Sequence, residues 1–271
     1  MKHPFFISER PLVFAHRGGG ALAPENTLAA FDNGLALGAD GLELDVHLSR
    51  DGAVMVHHDR LLDRTTNLHG PIGQRTAAEL AQADAGWHFR RGDQYPFRGR
   101  GISVPTLAEV LARYRGIRII VELKTGSAEL ARAVVAAIRA ADAVERVCVG
   151  SFDGRGLRLV RALEPAIATS AARIEVVWAL IKVWCRRPLT HHPVDGFQVP
   201  ERSGHTRVVS LALVNAAHRA GLGVQVWTVD RPEDALRLLE YGVDALITDR
   251  PDVIVPICRR AGASAVRKMD A

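Results

Sequence analysis

Short apolar runs alternate with amphipathic stretches along almost the whole chain. Residues 12–15, Leu-Val-Phe-Ala, end in His16-Arg17 and three glycines, which reads as a strand running into a turn. Pro24-Glu25-Asn26-Thr27 then opens a helix, with Asn26 as the expected N-cap and Leu28, Phe31, Leu35 and Leu37 at roughly helical spacing before Gly38 stops it. Residues 41–48 alternate strictly. Glu43, Asp45 and His47 share one face of that strand, and Leu42, Leu44, Val46 and Leu48 share the other. A third short run, residues 53–56, ends in His57-His58-Asp59.

Residues 60–104 break the rhythm. They are rich in arginine, glycine and polar residues, with one short helical candidate at 77–83 and aromatics at Trp87, Phe89, Tyr95 and Phe97. This stretch reads as an insertion covering one mouth of the fold, because long loops of this kind are commonly lids or binding loops. Thr106 then caps a helix to Tyr114, with Glu109 in capping-box spacing. A strand at 117–124 places Glu122 and Lys124 on one face. Helix 128–141, strand 147–150, helix 154–163 and a short strand at 166–170 follow. Strands at 196–199, 223–229 and 244–248 are separated by helices at 209–220 and 232–241, and a last helix at 252–260 leads into a frayed tail.

About eight strand–helix units fit two architectures. An open doubly wound sheet would carry a GxGxxG turn after its first strand, and this chain does not. Polar residues recur instead at the strand ends: His16, Glu43, Asp45, Glu122, Lys124, Ser151, Gln198, Trp227 and Asp249. In a (β/α)8 TIM barrel those ends converge on one mouth, where such enzymes keep their chemistry. The expectation is one barrel domain over residues 1–271, with a small insertion after the second strand.

Composition adds boundaries. The length of 271 residues suits one such barrel, and 48% hydrophobic with 24% charged residues is ordinary for a globular protein. The formal charge of +5 is spread out, with no aromatic-interleaved basic stripe, which excludes a nucleic-acid binder and mildly favours an anionic substrate. Three scattered cysteines fit a reducing compartment. No long apolar leader precedes the first strand and no run is long enough to span a bilayer, so the expected location is cytoplasmic.

Two acids on one face of a strand covered on both sides would repel one another and desolvate badly unless a cation lay between them. Glu43 and Asp45 therefore read as a candidate site for a hard divalent cation rather than a structural pair. His16 and His58 are candidate acid/base groups. Of the adjacent pair, His57 is expected to face the structure and His58 the site, since neighbours on an extended chain face opposite ways. Trp227 reads either as core packing or as a wall meeting substrate. Residues 174–185, apolar nearly all round with Trp178 and Trp184 beside Arg186-Arg187, read as a helix packed on the barrel; the competing reading is an interfacial or acyl-binding surface in peripheral contact with a membrane.

His16-Arg17-Gly18, Pro24-Glu25-Asn26-Thr27, Glu43-Leu44-Asp45-Val46, His58-Asp59, Leu62-Asp63-Arg64-Thr65-Thr66 and Pro105-Thr106-Leu107 stand in a characteristic order. Glu122-Leu123-Lys124, Val226-Trp227-Thr228-Val229 and Thr248-Asp249-Arg250-Pro251 follow. From about residue 12 to 256 the chain resembles the glycerophosphodiester phosphodiesterase family. The resemblance implies a (β/α)8 barrel, a divalent cation (Ca²⁺ or Mg²⁺), and hydrolysis of glycerophosphodiesters to glycerol 3-phosphate and an alcohol. It further implies Glu43, Asp45 and Glu122 as metal ligands, His16 and His58 as the acid/base pair, and Arg17 and Lys124 on phosphate. A lysophospholipase D activity on lysophospholipids is the alternative, and a barrel that binds diesters without turning them over is a weaker one, because every residue the chemistry needs is present.

Overall fold

Strand β1 (Leu12–His16) is apolar on both sides because it is covered on both. The computed structural model, which describes residues 2–190 and 192–269 with side chains as far as residue 262, pairs β1 in parallel with β2 (Gly41–Leu48). β3 (Val54–Val56) folds back antiparallel on β2, and β4 (Arg118–Leu123) extends the parallel sheet on the same strand. β5 (Val147–Gly150) and β6 (Ala168–Thr169) continue one arm. β7 (Gly196–Pro200), then the small hairpin β8 (Arg202–Ser203) and β9 (Thr206–Arg207), lead to β10 (Gly223–Trp227) and β11 (Ala245–Thr248). β11 returns to β1, and a parallel bridge from Ser170 to Gly196 brings the arms together. The result is a nearly closed barrel of eight parallel strands, the architecture expected from the sequence.

Helices α1 (Leu28–Ala36), α3 (Leu107–Arg113), α4 (Ala128–Ala140), α5 (Gly154–Leu163), α6 (Arg173–Trp184), α7 (Leu211–Arg219), α8 (Pro232–Glu240) and α9 (Pro251–Met269) surround it; α2 (Ala77–Ala81) lies in the insertion. Period-two alternation sorts each strand between two environments. Leu42, Leu44 and Val46 of β2, with Ile119, Val121 and Leu123 of β4, pack outward against the helices. Glu43 and Asp45, with Ile120 and Glu122, take the opposite face, toward the barrel axis.

The N-terminal ends of the strands are stopped by Phe5 and Phe6, carried on a 3-10 turn (Pro4–Phe6) and packed with Phe14, Ile120, Cys148, Ala245 and Ile247. Room for these rings comes from missing side chains. A Cβ on Gly196 or Gly223 would lie 2.6 or 2.4 Å from the Phe6 ring. The insertion has a small core of its own, Leu62, Ile72, Leu80 and Val104 on Met55. It reaches the opposite end of the barrel, where Arg91 donates to the Leu22 carbonyl.

Two local expectations are corrected, and one element was not anticipated. The N-cap of α1 is Thr27, whose side chain accepts from Ala30 N. Asn26 instead sits at φ +59 and turns its amide to Asp45, donating from Nδ2 to Oδ2 at 2.9 Å and accepting from the Asp45 backbone at 3.2 Å. The last helix continues past Arg260 to Met269, where a frayed tail was expected. The β8–β9 hairpin gave no apolar signal because all four of its residues are exposed.

Candidate active site

The site begins where β1 ends. His16 closes the strand, Arg17 adopts φ +52, and Gly18 follows at φ +88. Gly18 is confined to glycine twice over, by that backbone and by Ala30, whose carbonyl carbon would lie 2.6 Å from an added Cβ. The tight turn folds the loop back over the mouth and delivers Glu25 and Asn26 beside β2.

At the centre are Glu43, Asp45 and Glu122, whose ligand-type oxygens lie within 4.8 Å of one another. Glu43 and Asp45 are buried, and Glu122 is partly open to the cleft. Lys124 Nζ lies 2.9 Å from Glu122 and 3.2 Å from Asp45. Arg17 places Nε 3.2 Å from Asp45, donates from Nη1 to Glu25 at 3.1 Å and from its backbone N–H to Glu43 at 3.1 Å. Burial alone would raise the Asp45 carboxyl, but Lys124 and Arg17 hold it below the usual carboxylate range. For Glu43 the nearby cations, His16 and Arg17, are outweighed. Burial, then the charge on Asp45, push it above that range.

The two histidines each have an aspartate behind them. His16 Nδ1 lies 2.9 Å from Asp249, and His58 Nδ1 lies 2.5 Å from Asp59. With Nδ1 engaged, each ring keeps Nε2 for proton chemistry. Burial lowers the basicity of His16, but Glu43 and Asp249 more than reverse this and raise it to about 9. Arg64 donates to Asp59 and to both oxygens of Glu25, so the loops after β1 and β3 are tied together above the site. His57 faces inward, bonded at Nε2 to the Leu61 carbonyl, as expected. His47, which the sequence left without a role, holds the His58 carbonyl at 3.0 Å. Burial pulls both down, keeping them neutral.

His16, Arg17, Glu43, His58, Glu122, Lys124 and Trp227 line one cleft of about 660 Å³, and Asp45 lies beneath its wall. All the residues singled out in the sequence therefore meet at one place. Trp227 has both of its expected surroundings, packed in part on the barrel core and facing the cleft, edge-to-face with Phe152 at 5.9 Å. Sequence reasoning gave no place in the site to Glu25, Asn26, Arg64 or Phe152, and no partner to Asp249. All but Phe152 lie inside the quoted motif blocks, so a signal was present, but their partners are 5 to 233 residues away in sequence.

A parallel barrel whose C-terminal mouth gathers paired histidines, fixed cations and clustered carboxylates has the parts that a phosphoric diester hydrolase uses. Residues 16–253 match the glycerophosphoryl diester phosphodiesterase family, and the chain belongs to it. It is 34% identical over 264 residues to a glycerophosphodiester phosphodiesterase of Caldanaerobacter subterraneus subsp. tengcongensis, covering 93% of this chain and all of that one. In fold it is similar to the glycerophosphoryl diester phosphodiesterase domain of a Mycobacterium tuberculosis protein, at 23% identity and a TM-score of 0.78 over 93% of this chain and 99% of that one. It is also similar to an Oleispira antarctica phosphodiesterase solved with the product sn-glycerol-3-phosphate, at 29% identity and a TM-score of 0.71 over 92% and 96%. Among the described residues no helix is long and apolar enough to cross a membrane.

Proposed function

We propose that the chain, as one catalytic domain, hydrolyses soluble glycerophosphodiesters to glycerol 3-phosphate and an alcohol. In this reading Glu43, Asp45 and Glu122 hold a divalent cation, Mg²⁺ or Ca²⁺, and His16 and His58 form the acid/base pair. The observation that carries the reading is the convergence of three carboxylates, buried or nearly so, within 4.8 Å, flanked by both histidines. Their chemistry fits the ion. Oxygen donors suit a hard cation, and the raised Glu43 carboxyl marks a position where a further negative charge is costly until a cation joins it. Ionised together, the three carboxylates would outnumber the Arg17 and Lys124 cations beside them, and a divalent cation offsets that excess. When bound, the cation supplies charge neutralisation at phosphorus.

The remaining work belongs to side chains. Arg17 and Lys124 hold phosphoryl oxygens, so charge building in the transition state meets fixed positive groups. One histidine takes a proton at Nε2 from the attacking oxygen, which is water or the glycerol 2-hydroxyl. The other returns a proton to the leaving alcohol. Asp249 and Asp59 fix the tautomers. Trp227 and Phe152 form the wall against which the glycerol or leaving group rests. Three free thiols, Cys185 exposed, fit a reducing, cytoplasmic setting.

The test is release of choline or ethanolamine from glycerophosphocholine and glycerophosphoethanolamine, with EDTA, Mg²⁺ or Ca²⁺. Cation-dependent release is expected, and His16→Ala or His58→Ala should each lose at least about a hundredfold in rate with circular dichroism unchanged. Near-normal turnover in either variant removes that histidine from the mechanism. Diester binding without any release would make the barrel a binding protein.

A further inference from the structure

Beyond its reacting end the cleft changes character. Past His16, Arg17, Glu43, His58, Glu122 and Lys124, its walls carry hydroxyl, amide and apolar side chains, with one charged exception among the described residues, Arg173. Arg173 is the first residue of α6. Its backbone N–H donates to the Phe152 carbonyl at 3.4 Å, beside the ring that meets Trp227. Around the barrel the parallel strands run β1, β2, β4, β5, β6, β7, β10, β11, so Arg173, just past β6, stands four strands from β1 in either direction. That is across the mouth from His16.

This cation differs from the others in the cleft by having no acid beside it. Arg17 is matched by Asp45 and Glu25, and Lys124 by Asp45 and Glu122. Among the described residues no carboxylate pairs with Arg173. Glu175, two residues on, is held by Arg161 at 2.8 Å and by the Ala172 N–H, and Asp153, next to Phe152, is held by Arg155 at 2.7 Å. The dipole of α6 also disfavours a cation in its first turn. An unpaired guanidinium kept there does little for the fold and suits an incoming anion, which it can meet through two parallel hydrogen bonds.

The reacting phosphoryl group is not that anion, since it belongs at the acidic cluster with Arg17 and Lys124. The glycerol arm is neutral and the same in every glycerophosphodiester, which leaves the alcohol arm. We propose that Arg173 is a specificity residue that selects diesters whose leaving alcohol carries a second anionic group, a carboxylate or a phosphate. The inference rests on the diester hydrolysis proposed above and adds the class of alcohol. The bonds that form and break are those of that hydrolysis.

The experiment measures kcat/KM in saturating Mg²⁺ or Ca²⁺ for two substrate pairs, each differing by the anion alone. Glycerophosphoserine is glycerophosphoethanolamine with a carboxylate added, and glycerophosphoglycerol is taken with and without a phosphate on its far hydroxyl. The wild type should favour the anionic member of at least one pair by about fivefold or more, and the pair that responds tells carboxylate from phosphate. Arg173→Gln should bring that ratio close to one through KM, with kcat for glycerophosphoethanolamine unchanged, and Arg173→Lys should keep part of the preference. Arg132→Gln, exposed on α4, should leave the ratio as in the wild type, which separates a local contact from the overall charge of +5. A wild-type ratio at or below one in both pairs overturns the assignment, and so does a ratio that Arg173→Gln leaves unmoved. Equal losses on all four substrates would place Arg173 on the glycerol arm and overturn it too. Absence of release from every diester instead overturns the hydrolysis on which the inference rests.

Discussion

Arg64 shows how a single side chain outside the reacting groups can govern the mouth. It bonds both oxygens of Glu25 and, through Nε, the Asp59 that holds His58. Burial would raise the Glu25 carboxyl, but Arg64 and Arg17 hold it below its usual value. A carboxyl depressed in the folded state contributes stability above its unfolded pKa of about 4.3 and loses it as pH falls through the lower folded value. Arg64→Met should therefore move the acid-unfolding midpoint upward by about half a pH unit, read by circular dichroism during an acid titration. An unchanged midpoint would mean that the clamp adds nothing to the fold. At this scale the sequence was legible where local pattern decides. Alternation alone put Glu43 and Asp45 on one face, and the extended chain put His57 and His58 on opposite sides. It misled at Asn26, a good capping residue whose amide goes to Asp45, a partner that no local rule contains.

Among the elements, the 3-10 turn with Phe5 and Phe6 does the most with the least sequence signal. Three residues give no periodicity, and its purpose shows only in the glycines that begin two distant strands, β7 and β10. Phe6→Ala should destabilise by about 3–5 kcal/mol, a drop of roughly 10 °C in melting temperature by calorimetry. KM should not change, because the ring sits at the end of the barrel away from the mouth. A melting temperature within a degree or so of wild type would show that the ring is not part of the core. The long strands and helices were legible because each has a buried face that imposes its period. The β8–β9 hairpin, with no buried face, was not.

For the whole molecule, the relation between the acidic cluster and stability is the broadest consequence. A cation held only by the folded state stabilises it by mass action, about 4 kcal/mol at a thousandfold excess over Kd. Added Ca²⁺ or Mg²⁺ should raise the melting temperature of the wild type by several degrees and leave that of Glu43→Gln unmoved, a readout independent of turnover. An equal rise in both proteins would sink the ligand assignment. The barrel itself was legible from its eight repeats and from polar strand ends that had to converge. Its stopper was not, and that stopper bears on the order of synthesis. Phe5 and Phe6 emerge from the ribosome before any strand of the barrel, yet the surfaces that receive them include Ala245 and Ile247 on the last strand. These two rings must wait, unplaced and apolar, until the last strand has been made.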